Sequence, residues 1–167
     1  MKNKLLILFV ALLLAAPAHA QWCVGGSVNF NHSGTNRSTN LVLKPDISYG
    51  FGKVSVGATL LFDLYTFHAE DRSDLSFGLN PYVQYYFWSS GNLSLYAEGG
   101  VDLTRNIYPD SVYNRAQFYL CPGIEYSLTD HWALMGSLGR LEYDTYSRAF
   151  ALGLDAANFS FGVYYSF

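Results

Sequence analysis

The stretch Phe159-Ser-Phe-Gly-Val-Tyr-Tyr-Ser-Phe167 ends the sequence, and its alternation governs the reading of everything upstream. Extended backbone sends successive side chains to opposite faces. Phe159, Phe161, Val163, Tyr165 and Phe167 therefore share one face, and Ser160, Gly162, Tyr164 and Ser166 share the other. The first face suits hydrocarbon and the second a polar interior. Such a strand fits the wall of a membrane-spanning β-barrel, in which each backbone group pairs with a neighbouring strand.

The same alternation recurs upstream. Leu43-Lys-Pro45-Asp-Ile47-Ser-Tyr49, Leu79-Asn-Pro81-Tyr-Val83-Gln-Tyr85 and Leu120-Cys-Pro122-Gly-Ile124-Glu-Tyr126 share the pattern Leu-x-Pro-x-(Ile/Val)-x-Tyr. Their prolines recur at roughly 40 residues, about two membrane strands with one turn and one loop, so the repeating unit is a hairpin. Each repeat is expected to descend. Because proline removes a ladder donor, three prolines at one level predict a recurrent bulge or kink in the wall. Val54 to Phe62, Leu93 to Val101 and Trp132 to Leu138 read as ascending strands, and Trp22 to Phe30 alternates in the same way. With the last strand the count is eight: an all-β, eight-stranded antiparallel up-and-down transmembrane barrel.

Connection lengths orient it. Phe51-Gly-Lys53, Ser89-Ser-Gly-Asn92 and Thr129-Asp-His131 are turn-like, whereas 32–40, 68–74, 105–114 and 140–147 are longer and polar. Short turns face the periplasm and longer loops face outside. Trp22, Tyr49, Phe51, Tyr85, Phe87, Tyr126, Trp132, Tyr165 and Phe167 recur at the periplasmic ends as an interfacial girdle. One segment breaks phase: Phe150, Leu152 and Leu154 point outward at even positions, and Phe159 onward does so at odd ones. Either the eighth strand is bulged at Asp155-Ala-Ala-Asn158, or Phe150 to Leu154 extends the last hairpin outside the membrane.

At the other end, Met1-Lys-Asn-Lys4, the apolar run Leu5 to Ala15, and Ala18-His19-Ala20 after Pro17 have the three parts of a secretory signal peptide. Residues 1–20 are expected to be removed, leaving 21–167 as one barrel domain. The residues ahead of Cys23 lack the small side chains of a lipobox, which argues against lipidation. Hydrophobic residues make up 50% and aromatics 17%, yet no long apolar run follows the signal, so the apolar surface is spread along strands at every second residue. The formal charge of -3 becomes -5 without Lys2 and Lys4, which argues against nucleic acid as a partner. Cys23 and Cys121 suit an oxidising compartment, but they fall on the interior about three strands apart and are expected as two free thiols.

Across the mature chain, Trp22-Cys-Val24-Gly-Gly26-Ser-Val28-Asn-Phe30, the Pro-x-x-x-Tyr strands, Pro122-Gly-Ile-Glu-Tyr126, and Phe150-Ala-Leu-Gly-Leu154 with Ser160 to Phe167 resemble the small outer-membrane β-barrel domain proteins common in Bacteroidota. The resemblance implies an integral outer-membrane protein in contact with lipid. It also implies that Phe161, Val163, Tyr165 and Phe167 form the signal that the barrel-assembly machinery reads. The family's motifs are wall and assembly features, so no catalytic residue, metal ligand or cofactor carries over.

The expected interior comprises Lys44, Asp46, Thr59, Asp63, Asn80, Tyr82, Gln84, Tyr86, Tyr96, Glu98, Asp102, Gln117, Tyr119 and Glu125. Eight strands leave a lumen that side chains fill, which disfavours a wide pore and keeps a narrow channel as an alternative. Asp46, Asp63, Glu98, Asp102 and Glu125 read as a hydrogen-bonded network around Lys44, or alternatively as a cation site. Six arginines, Arg37, Arg72, Arg105, Arg115, Arg140 and Arg148, fall in or beside the extracellular loops. Guanidinium pairs bidentately with phosphate, so these residues are candidates for contact with lipopolysaccharide, against local pairing with loop carboxylates. Tyr108, Tyr113, Tyr143 and Tyr146 add a recognition surface for a surface protein or host ligand. The expectation is a non-enzymatic barrel with a surface-interaction or membrane-structural role. A rim-sited lipid-modifying enzyme would have to draw on His68, Glu70 and Ser73, or on His32 and Ser33.

Overall fold

The computed structural model describes residues 21–33, 38–68, 72–108, 111–153 and 159–167, so the expected signal peptide lies outside the described residues. The strands are β1 (Gln21–Ser33), β2 (Ser38–Phe51), β3 (Val54–Phe67), β4 (Arg72–Ser90), β5 (Leu93–Tyr108), β6 (Ser111–Ser127), β7 (Trp132–Leu138), β8 (Arg140–Asp144), β9 (Ala149–Gly153) and β10 (Phe159–Ser166). Neighbours from β1 to β6 pair antiparallel in chain order. β6 then pairs with β7 below and β8 above, β8 with β9, and β7 with β10. β10 returns to β1 and closes the ring. β7 with β8, and β9 with β10, are the lower and upper parts of the seventh and eighth wall strands, giving the expected eight-stranded barrel.

Alternation explains why these segments become wall. Ile47, Leu60, Val83, Leu103, Leu120 and Leu134 stand on the outside, whereas the inward Asp46, Tyr82, Gln84, Tyr96, Tyr119 and Met135 are buried. The phase changes once along the seventh wall strand. Gly139 takes φ 78°, and the register on β6 moves from Gly123↔Ser137 to Leu120↔Leu141 across it. Leu138 therefore points outward before the glycine and Leu141 after it. β9 pairs with β8 from Arg140↔Gly153 to Asp144↔Ala149, so Phe150 to Gly153 is paired wall in the upper part of the eighth strand. Residues 154–158, where a bulge was one option, lie outside the described residues.

The prolines act differently from the expected recurrent bulge. Each keeps a partner on one side: Gly26↔Pro45, Ala58↔Pro81 and Ala97↔Pro122. On the other side the ladder skips from Leu43↔Phe62 to Asp46↔Thr59 at Pro45, and from Leu79↔Leu103 to Tyr82↔Gly100 at Pro81, without a change of register. Only Pro122 faces a true bulge, at Gly139. A second bulge lies near the periplasmic end of β4, between Tyr86 and Trp88.

The long polar connections are shorter than expected because the ladders continue through them. β5 and β6 stay paired up to Tyr108↔Ser111, and β8 and β9 flank a turn over residues 145–148. Protruding hairpins therefore build much of the outer rim. At the opposite end the girdle is a set of ring contacts: Trp22 with Tyr49 and Trp132 with Tyr165 at 5.0 Å each, and Tyr165 with Phe167 edge-on at 5.1 Å. The Phe167 amide donates to the Trp22 carbonyl at 2.9 Å, so the terminal residue sits on the closing seam.

Phe167→Ser keeps this backbone bond and removes the ring. We expect about 1–2 kcal/mol less stability from the lost aromatic contact and apolar surface. In heat-modifiable gel migration, the variant's folded band should disappear at a lower temperature than that of the wild type. Coincident melting would show that the terminal ring contributes nothing to closure.

Candidate functional site

The lumen is built from cross-strand pairs of tyrosine and glycine. Tyr82 lies opposite Gly57, Tyr96 opposite Gly123, Tyr119 opposite Gly100, and Tyr164 opposite Gly25. A Cβ on Gly123 would fall 2.1 Å from the Tyr96 ring; on Gly57, 2.5 Å from Tyr82; on Gly100, 2.7 Å from Tyr119; and on Gly25, 2.4 Å from Tyr164. Each ring thus lies over its partner's bare backbone.

Two of these tyrosines, Tyr82 and Tyr119, meet carboxylates through their hydroxyls. Tyr82 and Thr59 donate to the two oxygens of Asp46 at 2.8 and 2.6 Å. Tyr119 and Gln84 donate to Glu98 at 2.9 and 2.8 Å, and Tyr86 donates to Glu125 at 2.6 Å. Asn40 donates to Asp63 at 2.6 Å, and Tyr96 donates to the Gly136 carbonyl at 3.3 Å. The interior is therefore the expected hydrogen-bonded network, and a second cation, Arg140, joins Lys44 beside it. Arg140 pairs with Asp102, lies 2.8 Å from Glu142 through Nε, and stacks over the Tyr119 ring at 3.9 Å. Lys44 lines a small cavity of about 100 Å³ beside Arg140. A larger cavity of about 600 Å³, lined by Cys23, Ser48, Tyr86 and Glu125, opens at the periplasmic mouth. Tyr164, Gln84 and Met135 line both cavities and lie between them. Cys23 and Cys121 are free thiols. Among the described residues, no group of three His, Cys, Asp or Glu side chains is placed to hold a metal ion.

The structure divides the six arginines. Arg37 and the Arg72 side chain lie outside the described residues. Arg140 is turned into the lumen, because the Gly139 bulge places it on the inner face; its guanidinium is engaged there and leaves the rim set. Arg115 pairs with Asp144 at the rim. Burial works against the Asp144 carboxylate, but the Ser147 and Tyr146 amides and the Arg115 guanidinium outweigh it and hold its pKa below the usual carboxylate range. Arg148 is exposed in the hairpin turn with φ 53°.

Arg105 has the most informative position. It stands on the lipid-facing side of β5, in a cross-strand row with Phe62, Phe77 and Asn114. The next row down is Leu60, Leu79, Leu103 and Ala116. Leu60, Phe77, Leu79 and Leu103 floor an open groove of about 710 Å³ that is headed by Arg105, Arg115 and Tyr146. A charge on the lipid face is costly at the bilayer midplane and nearly free at the interface, so Arg105 marks the headgroup level. This direction was available from sequence, since Leu103 and Arg105 share a strand face.

Of the residues considered for catalysis, only His68 and Ser73 have described side chains. His68 Nε2 lies 2.8 Å from the Thr39 hydroxyl, and Ser73 contacts Thr66 at 3.3 Å. Glu70 and the side chains of His32 and Ser33 fall outside the described residues. Among the tyrosines, Tyr108 stacks on Tyr113 at 5.6 Å, Tyr143 packs on Phe150 at 4.7 Å, and Tyr146 is 90% exposed at the hairpin tip.

Gly123→Ala tests the lumen architecture. The new methyl must displace a ring that is only 3% exposed, and overpacking of this kind costs roughly 1–3 kcal/mol. Urea titration of the protein refolded into lipid should show a lower midpoint with an unchanged slope. Gly52→Ala is no control for this, because Gly52 has φ 63°, whereas Ser90→Ala changes an exposed turn neighbour and should leave the midpoint in place.

No curated protein matches the chain. Among solved structures, the crystal structure of the N-terminal β-barrel domain of Pseudomonas aeruginosa OprF is similar, with a TM-score of 0.54 and 16% identity, covering 89% of this chain and 96% of that one. At that identity the likeness is one of fold. Residues 5–167 match the outer membrane protein beta-barrel domain. The chain, with its closed antiparallel wall and lipid-facing band, belongs to that family and is an integral protein of the outer membrane.

Proposed function

We propose that this barrel is a non-enzymatic membrane-structural protein whose outer rim binds the phosphorylated lipid of the outer leaflet. One observation carries the reading: Arg105 projects from the lipid-facing wall directly above an apolar groove. The groove accepts an acyl chain along Leu60, Phe77, Leu79 and Leu103. Arg105 then stands at the level of a lipid phosphate. Guanidinium holds phosphate through two parallel hydrogen bonds, which suits lipopolysaccharide, whose lipid anchor is phosphorylated and multiply acylated. The filled lumen supports the same reading, because among the described residues tyrosines and hydrogen-bonded carboxylates occupy the bore. Arg148 and the exposed Tyr146 extend this surface toward the solvent.

Lipid co-purification tests the proposal. Wild-type protein extracted in mild detergent should retain lipid A species in native mass spectra. Arg105→Gln should weaken this binding about 10-fold or more, the equivalent of one charge-assisted contact. Equal retention by the variant would remove Arg105 from the site. The masses of lipid A from cells overexpressing the protein should match those from cells lacking it; a shifted acyl or phosphate mass would replace the structural role with an enzymatic one. Conductance steps in planar bilayers would favour a channel.

A further inference from the structure

At the outer rim, a cavity of about 410 Å³ lies between the β5–β6 hairpin and the turn that joins β8 to β9. Tyr113, Asn114 and Arg115 line it from β6, and Asp144, Tyr146 and Ser147 line it from the end of β8 and the turn. Pockets for small ligands are roughly 300–1,000 Å³, so the volume is sufficient.

Both walls are fixed. On the turn side, Asp144 is 7% exposed, and its Oδ1 accepts from the Tyr146 and Ser147 amides at 2.7 and 3.1 Å. Its Oδ2 accepts from Arg115 Nε at 2.5 Å. The Thr145 amide and hydroxyl both donate to the Ala116 carbonyl, at 3.2 and 2.7 Å, and tie the turn to β6. On the hairpin side, Tyr113 stacks on Tyr108 at 5.6 Å with the ring planes 12° apart, and the two hydroxyls are 3.3 Å from each other. Walls set in advance lower the ordering cost of binding. Tyr146, in contrast, is 90% exposed, so the fold makes almost no use of its ring.

The lining chemistry selects the ligand class. Arg115 and Asp144, the two charged residues, pair with each other, so the cavity carries no net charge with which to choose an ion. No aliphatic side chain lines it, which disfavours an acyl chain or the apolar anchor of a protein. It offers two phenol rings beside groups that both donate and accept hydrogen bonds: the Asn114 amide, and the hydroxyls of Ser147 and the tyrosines. Arg115 adds the guanidinium N–H groups that Asp144 does not occupy. A sugar ring matches this pattern, because its hydroxyls donate and accept while its C–H face is apolar and packs on an aromatic ring.

We propose that this rim pocket binds an uncharged sugar ring, stacked on Tyr146 and hydrogen-bonded by Asn114 and Arg115. Two sources can supply such a ring: the saccharide of lipopolysaccharide in the same leaflet, and a glycan on another surface. Asn114, Arg115 and Tyr146 also line the acyl groove, so a lipid seated there would bring its own sugars to the pocket. The pocket does not rest on that lipid reading, because Arg105 is not among its lining residues.

The test titrates full-length protein in mild detergent with two probes, deacylated lipopolysaccharide and a panel of neutral oligosaccharides, followed by saturation-transfer NMR. At least one probe should bind with a Kd on the order of millimolar or tighter, and equally at low and high salt, as an uncharged ligand requires. Tyr146→Ala should weaken binding about 10-fold through the lost aromatic contact, whereas Tyr146→Phe should bind like the wild type. Both variants keep the residue 146 amide that Asp144 accepts from, and heat-modifiable migration checks their folding. Binding of deacylated lipopolysaccharide alone would identify the same leaflet as the source. Binding of panel glycans that it lacks would identify another surface. Arg105→Gln should lose lipid A and keep the saccharide, so the two proposals fail separately. Wild-type protein that binds neither probe, a Tyr146→Ala variant that binds as well as wild type, or affinity that collapses with salt would each overturn the proposal.

Discussion

A peptide group facing hydrocarbon has no water to bond, and the geometry of this wall follows from that constraint. It explains why the chain is almost entirely strand and why the strands close into a ring. It also explains where irregularity is tolerated. Pro45 and Pro81 sit where the ladder skips, so the missing proline N–H coincides with a position that donates to no neighbour on that side. The end of the chain obeys the same rule, with the Ser166 amide donating to the His131 carbonyl at 2.8 Å and the Phe167 amide to that of Trp22. Ser166 and Phe167 are thereby tied to the two neighbouring wall strands, one each.

The second constraint is volume. An eight-stranded ring is too narrow for a water-filled pore and too wide for small side chains alone. Tyrosine opposite glycine resolves this: the glycine yields the space of one side chain, the ring covers it, and from Tyr82 and Tyr119 the hydroxyl bonds a carboxylate on another strand. The carboxylates in turn let buried hydroxyls and amides find acceptors, which they must do away from water. The interior side chains thereby bond one another along much of the axis.

Strict alternation made the membrane part of this arrangement legible in sequence. The strand count, the periplasmic girdle and the inward residues from Lys44 to Glu125 all follow from period-two patterning. Legibility failed wherever the phase changes or both faces are wet. Arg140 reads as a loop residue because Gly139 inverts the alternation immediately before it, and nothing but Leu141 signals that a strand resumes. The upper parts of β5 and β6 read as loop because strands beyond the membrane no longer need one apolar face. The tyrosine and glycine pairs were invisible for a different reason: Tyr96 and Gly123 are 27 positions apart, and only the ladder register shows that they face each other.

The two backbone irregularities together explain the placement of the charged cluster. Gly26 and Gly139 lie on the two strands that flank β10, so above Val163 the eighth wall strand loses β1 on one side, and above Phe159 the seventh changes phase on the other. The β8–β9 hairpin is left hanging on β6 by the four pairs from Gln117↔Asp144 to Leu120↔Leu141. Side chains reinforce that short ladder: Arg140 reaches Asp102 on β5, Arg115 reaches Asp144, and Gln117 donates to Glu142 at 3.2 Å. Partly buried ion pairs add little net stability, but breaking one strands its partner, so they fix geometry better than they hold it. In this barrel they set the position of a hairpin whose backbone contacts alone would let it swing. The Tyr146 tip is thereby presented in one defined place.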